Sequence, residues 1–297
     1  VITFNGEIYN HRELREELEA KGHVMGSRAD TEVLIHGYEE WGEELLQKLR
    51  GMFAFVIWDK KNKSIFGARD FFGIKPFYYT IANGNLIYGS EIKAILAHPD
   101  VKKEVNPIAL ENYLTFQYSV LEETFFKGIF KLMPAHCFTF KDGKMDIKRY
   151  WEPVFEADHS KSLEEYVDEI DAAMQDSIKA HKVADVEVGS FLSSGVDSSY
   201  VAACFHGDKT FTVGFDYEKY NEIDYAKALS EKIKIDNYSK LISKKEYWDS
   251  IPTVQYHMDE PLADASAIAL YFVTKTASEQ VKTCLLYTSP SPRDRQK

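Results

Sequence analysis

Val186-Glu187-Val188-Gly189-Ser190-Phe191-Leu192-Ser193-Ser194-Gly195-Val196-Asp197-Ser198 sets the architecture of the second half of the chain. An apolar run ends in small hydroxyl and glycine residues and turns directly into Ser199-Tyr200-Val201-Ala202-Ala203-Cys204, which reads as buried strand, tight polar loop and helix. Such a turn aims several backbone N–H groups at one spot beside the positive end of a helix dipole, and that spot attracts phosphate. Asp197 would be repelled there unless a divalent cation lay between carboxylate and phosphate, which makes it a candidate Mg2+ ligand. The loop has no Gly-Lys-Ser/Thr of the Walker A kind and is not G-x-G-x-x-G. The plainer alternative is a turn in which Ser and Asp only cap the helix.

Working outward, residues 209–215 and 238–242 read as strands and 223–233 and 244–255 as helices. Upstream, Ser162-x-x-Glu165 is a capping box that opens a helix to about Lys182. Alternating strands and helices imply a parallel sheet with ligands at the carboxyl ends of its strands. Residues 152–161, mostly polar with one proline, read as a domain boundary. Before it, residues 1–4 form a strand that runs into an Asn5-Gly6 turn, and helices over 11–21 and 31–41 end at Gly22 and Gly42. A shorter helix carries Leu45, Leu46 and Leu49. Strands follow at 52–58, 64–68, 77–81 and 86–89, then a helix over 108–116 after Asn106-Pro107, and a last strand pair ending near Tyr150-Trp151. This is the pattern of an α+β layered domain, with 18 Tyr and 19 Phe to supply an aromatic core.

The totals bound the rest. At 297 residues the chain has room for two domains, and 44% hydrophobic with 28% charged residues is an ordinary globular composition. A net charge of −11 argues against nucleic-acid binding as its main task. Cysteines at 137, 204 and 284 show neither metal-ligand spacing nor a disulfide framework, which fits a reducing cytoplasm. No apolar run is long enough for a membrane span, and there is no signal-peptide pattern. The start at Val1 without methionine reads as a fragment that begins inside a domain. Residues 283–297, Ser/Pro-rich and then basic, read as a foreign or disordered tail.

Three segments of the first half bear chemistry. Asn5 and Gly6, after a strand, offer a side-chain amide and a backbone N–H suited to an oxyanion hole, or else form a type I′ turn. Asp30 either caps the following helix or grips a substrate ammonium. Arg69-Asp70 reads as a buried pair holding the turn that continues through Gly73-Ile74-Lys75-Pro76.

Six stretches in order carry a resemblance: Phe4-Asn5-Gly6-Glu7-Ile8-Tyr9-Asn10, Ala29-Asp30-Thr31-Glu32, Gly67-Ala68-Arg69-Asp70-x-x-Gly73-Ile74-Lys75-Pro76, Ser90-Glu91-x-Lys93-Ala94, Phe191 to Ser198, and His257-Met258-Asp259-Glu260-Pro261-Leu262-Ala263-Asp264. Residues 1 to about 282 resemble the class II glutamine amidotransferases joined to an ATP-pyrophosphatase domain, most closely the glutamine-hydrolysing asparagine synthetases of the bacterial B type. The resemblance implies a glutaminase domain over 1–151 of the four-layer αββα Ntn-hydrolase type, lacking its start. It implies an α/β parallel-sheet ATP-pyrophosphatase domain over 162–282, truncated.

The implied reaction is a ligase reaction of asparagine biosynthesis in which ATP, aspartate, glutamine and water give AMP, diphosphate, asparagine and glutamate through β-aspartyl-AMP. An N-terminal cysteine thiolate, absent from this chain, would attack glutamine while Asn5 and Gly6 stabilise the oxyanion and Glu7 and Asp30 hold the amino-acid end. Ammonia would travel inside the protein to the second site. There Ser193, Ser194, Gly195, Val196, Asp197 and Ser198 would hold pyrophosphate, with Asp197 near Mg2+, and Leu192 and Val213 would offer backbone groups to adenine. Asp259 and Glu260 belong to an acidic motif near the acyl-adenylate. Ser194 stands where many members have glycine, so a left-handed backbone there would strain it.

Partners are then small molecules, with no nucleic acid and no membrane, and a homodimer is compatible with the family. A Ser-Gly-Glu-Gly-type motif expected soon after Lys282 is missing. None of the three cysteines has the adjacent α-amine of the nucleophile, so the chain as given is expected not to hydrolyse glutamine. The rivals are a β-lactam synthetase-like or other amide-forming amidotransferase, and a non-catalytic relative of the fold.

Overall fold

A computed structural model describes residues 1–205, 207–217, 221–264 and 266–285. Contacts divide the chain into two units, Val1–Glu156 with Asp259–Pro261, and Ala157–Met258 with the chain from Leu262 onward. The first unit runs β1 (Ile2–Ile8), α1 (His11–Ala20), α2 (Asp30–Trp41), α3 (Leu45–Lys48), β2 (Gly51–Asp59), β3 (Ser64–Arg69), β4 (Tyr78–Ala82), β5 (Asn85–Gly89), α4 (Ile92–Leu96), α5 (Pro107–Phe116), β6 (Phe130–Lys131), β7 (His136–Lys141) and β8 (Lys144–Arg149).

Period-two alternation along β2 produces the layers of this unit. Phe53, Phe55 and Ile57 face a core with Leu14 and Leu18 of α1 and Val33 and Leu34 of α2. Ala54 and Val56 face the opposite way, onto Phe77, Tyr79 and Leu132 around the second sheet. That sheet, ordered β5-β4-β6, repeats the pattern: Tyr79 joins the inter-sheet core, while Tyr78 packs with Ile92 and Ile95 of α4. Helices, five-stranded sheet β1-β2-β3-β7-β8, three-stranded sheet and helix thus stack as αββα, with both sheets antiparallel.

Asn5-Gly6 is not a turn. Both residues lie within β1, opposite Ala54 and Phe53 of β2. Glycine is required for a reason other than turning: a Cβ on Gly6, at φ 156°, would lie 2.1 Å from the Met52 carbonyl oxygen. Gly42, at φ 58°, does end α2.

The second unit runs α6 (Leu163–His181), β9 (Val188–Phe191), α7 (Val196–Phe205), β10 (Lys209–Phe215), α8 (Ile223–Ile233), β11 (Asp236–Ile242), α9 (Lys244–Met258), α10 (Ser266–Ser278) and β12 (Thr283–Leu285). The Ser162 capping box is complete, with the Ser162 hydroxyl accepting the Glu165 N–H and the Glu165 carboxylate accepting the Ser162 N–H. The sheet is parallel and ordered β11-β10-β9-β12. On one face Val201 and Phe205 of α7 pack with Ile178 of α6, and Ala226 of α8 packs with Leu192 and Ala202. On the other, Ile268, Phe272, Val273 and Ala277 of α10 cover Phe191, Phe211 and Ile242.

Two features of this sheet depart from the sequence reading. Residues 283–285 are not tail: they pair in parallel with Val188, Gly189 and Ser190 and place Leu285 in the core with Val188 and Phe205. The rest of that tail, 286–297, lies outside the described residues. Helix α10 has no counterpart in the sequence reading, because its apolar residues run round the helix and leave little periodic contrast.

The chain crosses from β9 outward to β10 and β11 and then returns to the other side of β9 as β12. The order of the sheet therefore reverses at the carboxyl end of β9, the position where open parallel sheets bind ligands. Among the described residues no helix is long and apolar enough to cross a membrane.

Candidate functional site

Two candidate sites emerge, one in each unit. In the first, β1 is the edge strand of its sheet, so half of its backbone groups point away from β2. The Ile8 N–H is one of these, donating to Asp30 Oδ2 at 3.1 Å. The Tyr9 N–H points the other way, to Arg50 O at 2.8 Å. Alternation then directs the Gly6 N–H off the same free edge as that of Ile8. Asp30 does not cap α2: it is the first residue of the helix, after Ala29, and it ties the helix to β1 beside Glu7.

Asn5 turns its side chain to the opposite face, where its amide donates to Ser90 Oγ at 3.1 Å. Both residues line a cavity of about 130 Å³ with Thr3, Phe4, Ala54, Phe55, Val56, Phe77, Tyr88 and Gly89. By the same period, Glu7 shares the Asn5 face of the strand. Gly6 and Asp30 thus meet the free edge of β1, while Asn5 and Glu7 lie on the face turned to Ser90. Ser90 is the partner that sequence reasoning left without a role, although it stood within a quoted motif.

Arg69 and Asp70 hold the turn after β3, but not by pairing with each other. Asp70, 1% exposed, accepts the N–H groups of Phe53, Phe72, Ile74 and Lys75. Arg69 donates to the carbonyls of Lys75, Gly73 and Leu132 at 2.6–2.7 Å. One side chain collects the amides of the turn and the other its carbonyls. Burial lowers the Arg69 pKa, and the neighbouring Asp70 charge opposes that shift.

Asp259 and Glu260 group with the first unit. Asp259 Oδ2 and Oδ1 accept the Ile92 and Lys93 amides at 2.6 and 3.3 Å, with Lys93 Nζ 2.9 Å away, and Glu260 accepts the Phe125 amide at 2.8 Å. The two carboxylates act on backbone N–H groups, an arrangement the sequence did not foretell.

Neither Cys137 nor Cys284 is poised as a nucleophile. Burial pushes the Cys137 and Cys284 thiols each up to about 11, far from the thiolate form at neutral pH.

In the second unit the loop between β9 and α7 sits at the sheet reversal. Ser198 Oγ accepts the Ser193 N–H at 3.1 Å and lies 2.9 Å from Ser193 Oγ, which itself accepts the Gly195 N–H at 3.1 Å. Neither Ser194 nor Gly195 has a left-handed backbone, so serine at 194 is not strained. The Ser194 N–H donates to a carboxylate oxygen of Glu222 at 3.1 Å, an anion supplied by the chain itself. Ser193, Ser194, Val196 and Asp197 are exposed, and Asp197 stands in the first turn of α7.

Leu192 is buried and its backbone is engaged: its N–H donates to Phe211 O at 2.9 Å and its carbonyl accepts Thr212 Oγ1 at 2.8 Å. Pairing of β10 with β9 stops at Phe211. Val213, two residues further and so of the same orientation, turns its N–H and carbonyl to the edge that β9 has vacated.

A glutamine amidotransferase domain matches residues 1–151, and an asparagine synthase domain matches residues 169–286. The chain is 43% identical over 290 residues to a glutamine-hydrolysing asparagine synthetase of Bacillus subtilis, covering 96% of this chain and 45% of that protein. It is 39% identical over 298 residues to a putative glutamine-hydrolysing asparagine synthetase of Mycobacterium tuberculosis, covering 96% and 46%. The chain therefore spans about half the length of the curated relatives it matches.

Proposed function

The chain belongs to the glutamine amidotransferase family, and on that premise we propose that it forms the glutaminase half and the nucleotide-binding start of a glutamine-dependent asparagine synthetase. The observation that carries the proposal is the loop 192–198 at the carboxyl end of β9, where the parallel sheet reverses and where a chain carboxylate already takes a loop amide. In this reading ATP lies with its β- and γ-phosphates over the Ser194 N–H and the amino end of α7 in the loop Ser193 to Ser198, displacing Glu222. Adenine would meet the outward backbone of Val213, with Leu192 as the apolar floor. The exposed Asp197 carboxylate and the serine hydroxyls are hard oxygen donors of the kind Mg2+ takes, and they would hold it beside the phosphates. Bound there, the ion would neutralise charge that builds on the departing pyrophosphate.

On the glutaminase side, the Gly6 N–H and the Asn5 amide would stabilise the oxyanion of the glutamine amide under attack. Ser90 fixes the Asn5 amide, so little reorganisation is needed. Glu7 and Asp30 would hold the ammonium end of glutamine. The released ammonia would aminate an aspartyl-adenylate formed when aspartate attacks the α-phosphorus of ATP, giving asparagine and AMP.

The test is a chimera in which residues 1–285 replace the equivalent part of the Bacillus subtilis relative. ATP should be converted to AMP and pyrophosphate only when aspartate is present, with asparagine as the product. Cleavage to ADP, or AMP release that ignores aspartate, would overturn the proposal. Amide formation on another carboxylate would point instead to a different amide-forming member of the family.

A further inference from the structure

His23, just beyond α1, meets His36 and Glu39 on consecutive turns of α2, and none of the three has been assigned a role above. His23 Nδ1 is 3.2 Å from His36 Nδ1, and His36 Nδ1 is 3.1 Å from Glu39 Oε2. One ligand atom from each of the three lies within 4.8 Å of the other two. The far nitrogen of each ring faces a carboxylate: His23 Nε2 is 3.1 Å from Glu40 Oε2, and His36 Nε2 is 3.9 Å from Glu32 Oε1.

Counting protons gives this arrangement its meaning. A neutral imidazole carries a single N–H. With the His23 Nε2–H directed at Glu40, the His23 Nδ1 lone pair faces His36 Nδ1, which also meets the Glu39 carboxylate. The same geometry serves the His36 Nδ1–H, shared between His23 Nδ1 and Glu39, or a metal ion that takes all three lone pairs once that proton sits on His36 Nε2. A metal bound tetrahedrally at about 2.0–2.1 Å sets neighbouring donors about 3.3 Å apart. The 3.2 and 3.1 Å separations fit that spacing, and the third closes by rotation of Glu39, whose side chain is 58% exposed.

We propose that His23, His36 and Glu39 form a binding site for a borderline transition-metal dication of the Zn2+ type, with a fourth position open to water. Two imidazole nitrogens select such an ion over Mg2+ or Ca2+. Glu40 orients the His23 ring, as carboxylates do behind metal-bound histidines. Lys21 Nζ, 2.9 Å from Glu40 Oε1, holds that carboxylate in its outer place. Binding would clip the segment after α1 to α2.

The test is titration of the chelator-treated full chain with Co2+ as a spectroscopic probe and Zn2+ as competitor. The expected result is one equivalent of Co2+ with the intense visible absorption of a four-coordinate centre, displaced by Zn2+. His23→Gln and His36→Gln should each weaken binding at least about tenfold, while His136→Gln leaves it unchanged. Circular dichroism with chelator present checks that each variant folds, and Glu39→Gln, at an exposed position, gives a variant that spares the core. Failure to bind one equivalent, or binding that survives His23→Gln and His36→Gln in folded protein, would overturn the proposal and leave a shared proton between the rings.

Discussion

Asp70→Asn tests whether the turn after β3 is held by one carboxylate. In the native chain Oδ1 accepts the Phe72 and Ile74 amides at 3.2 and 2.8 Å, and Oδ2 accepts those of Phe53 and Lys75 at 3.1 and 2.9 Å. Asparagine is nearly isosteric but has one oxygen, so two of the four amides would face an NH2 group. A buried donor left without its acceptor costs about 1–3 kcal/mol. Two of them cost about 2–6 kcal/mol, a large share of the roughly 5–15 kcal/mol that holds a domain together. A central value of about 4 kcal/mol raises the unfolded fraction nearly a thousandfold. Urea unfolding followed by tryptophan fluorescence is the assay, since Trp41, Trp58 and Trp151 all lie in the first unit. A loss below about 0.5 kcal/mol, the range of ordinary surface changes, would refute the assignment.

Gly6→Ala should lower the thermal midpoint of the first unit sharply, because the new Cβ would lie 2.1 Å from the Met52 carbonyl oxygen; an unchanged melting curve would show that β1 does not run this close to β2. Leu285→Ala should destabilise the second unit by about 2 kcal/mol, the low end for a buried leucine, since residue 285 is 8% exposed and packs with Val188 and Phe205. A neutral result in chemical denaturation would return 283–285 to the tail. The Gly26 amide, joined by the Ser27 hydroxyl and amide, lowers the Glu32 pKa from 4.5 to about 2. A depressed carboxylate contributes stability that is present above the unfolded value and lost as pH falls through the folded one. Glu32→Gln should therefore flatten the stability profile between about pH 4.5 and 2, and acid unfolding curves that superimpose would contradict this.

Much of the fold was legible because local signals and burial agreed. The strand 52–58 could be read from its apolar run, and the structure shows why it is apolar throughout: Phe53 and Phe55 serve one core while Ala54 and Val56 serve another. Ser162 and Glu165 announced the start of α6 by their spacing, and both capping hydrogen bonds are made.

Signals failed where a distant partner overrode a local preference. Asn5-Gly6 has the composition of a turn, yet its glycine answers to the Met52 carbonyl, 46 residues away in sequence. Asp30 has the form of a helix cap, yet it bonds to the Ile8 amide. Residues 283–285 were hidden by the Ser/Pro composition that follows them, since three residues are too few to show a period. The phosphate loop was legible as a loop, but Glu222 on the Ser194 amide was not, because nothing in its spacing connects it to residue 194. His23 and His36 are likewise 13 residues apart across a helix start, with no motif to join them.

The most direct measurement follows the oxygen of the acceptor carboxylate. In the chimera with the Bacillus subtilis relative, aspartate carrying heavy oxygen in its β-carboxylate is incubated with ATP, Mg2+ and glutamine, and the AMP is weighed by mass spectrometry. One labelled oxygen in AMP is the expected result, since the carboxylate attacks the α-phosphorus and its oxygen stays on AMP when ammonia displaces the acyl group. Label in inorganic phosphate or pyrophosphate, with unlabelled AMP, would mean that the carboxylate is activated at another phosphorus, and that the loop between β9 and α7 does not present ATP as described.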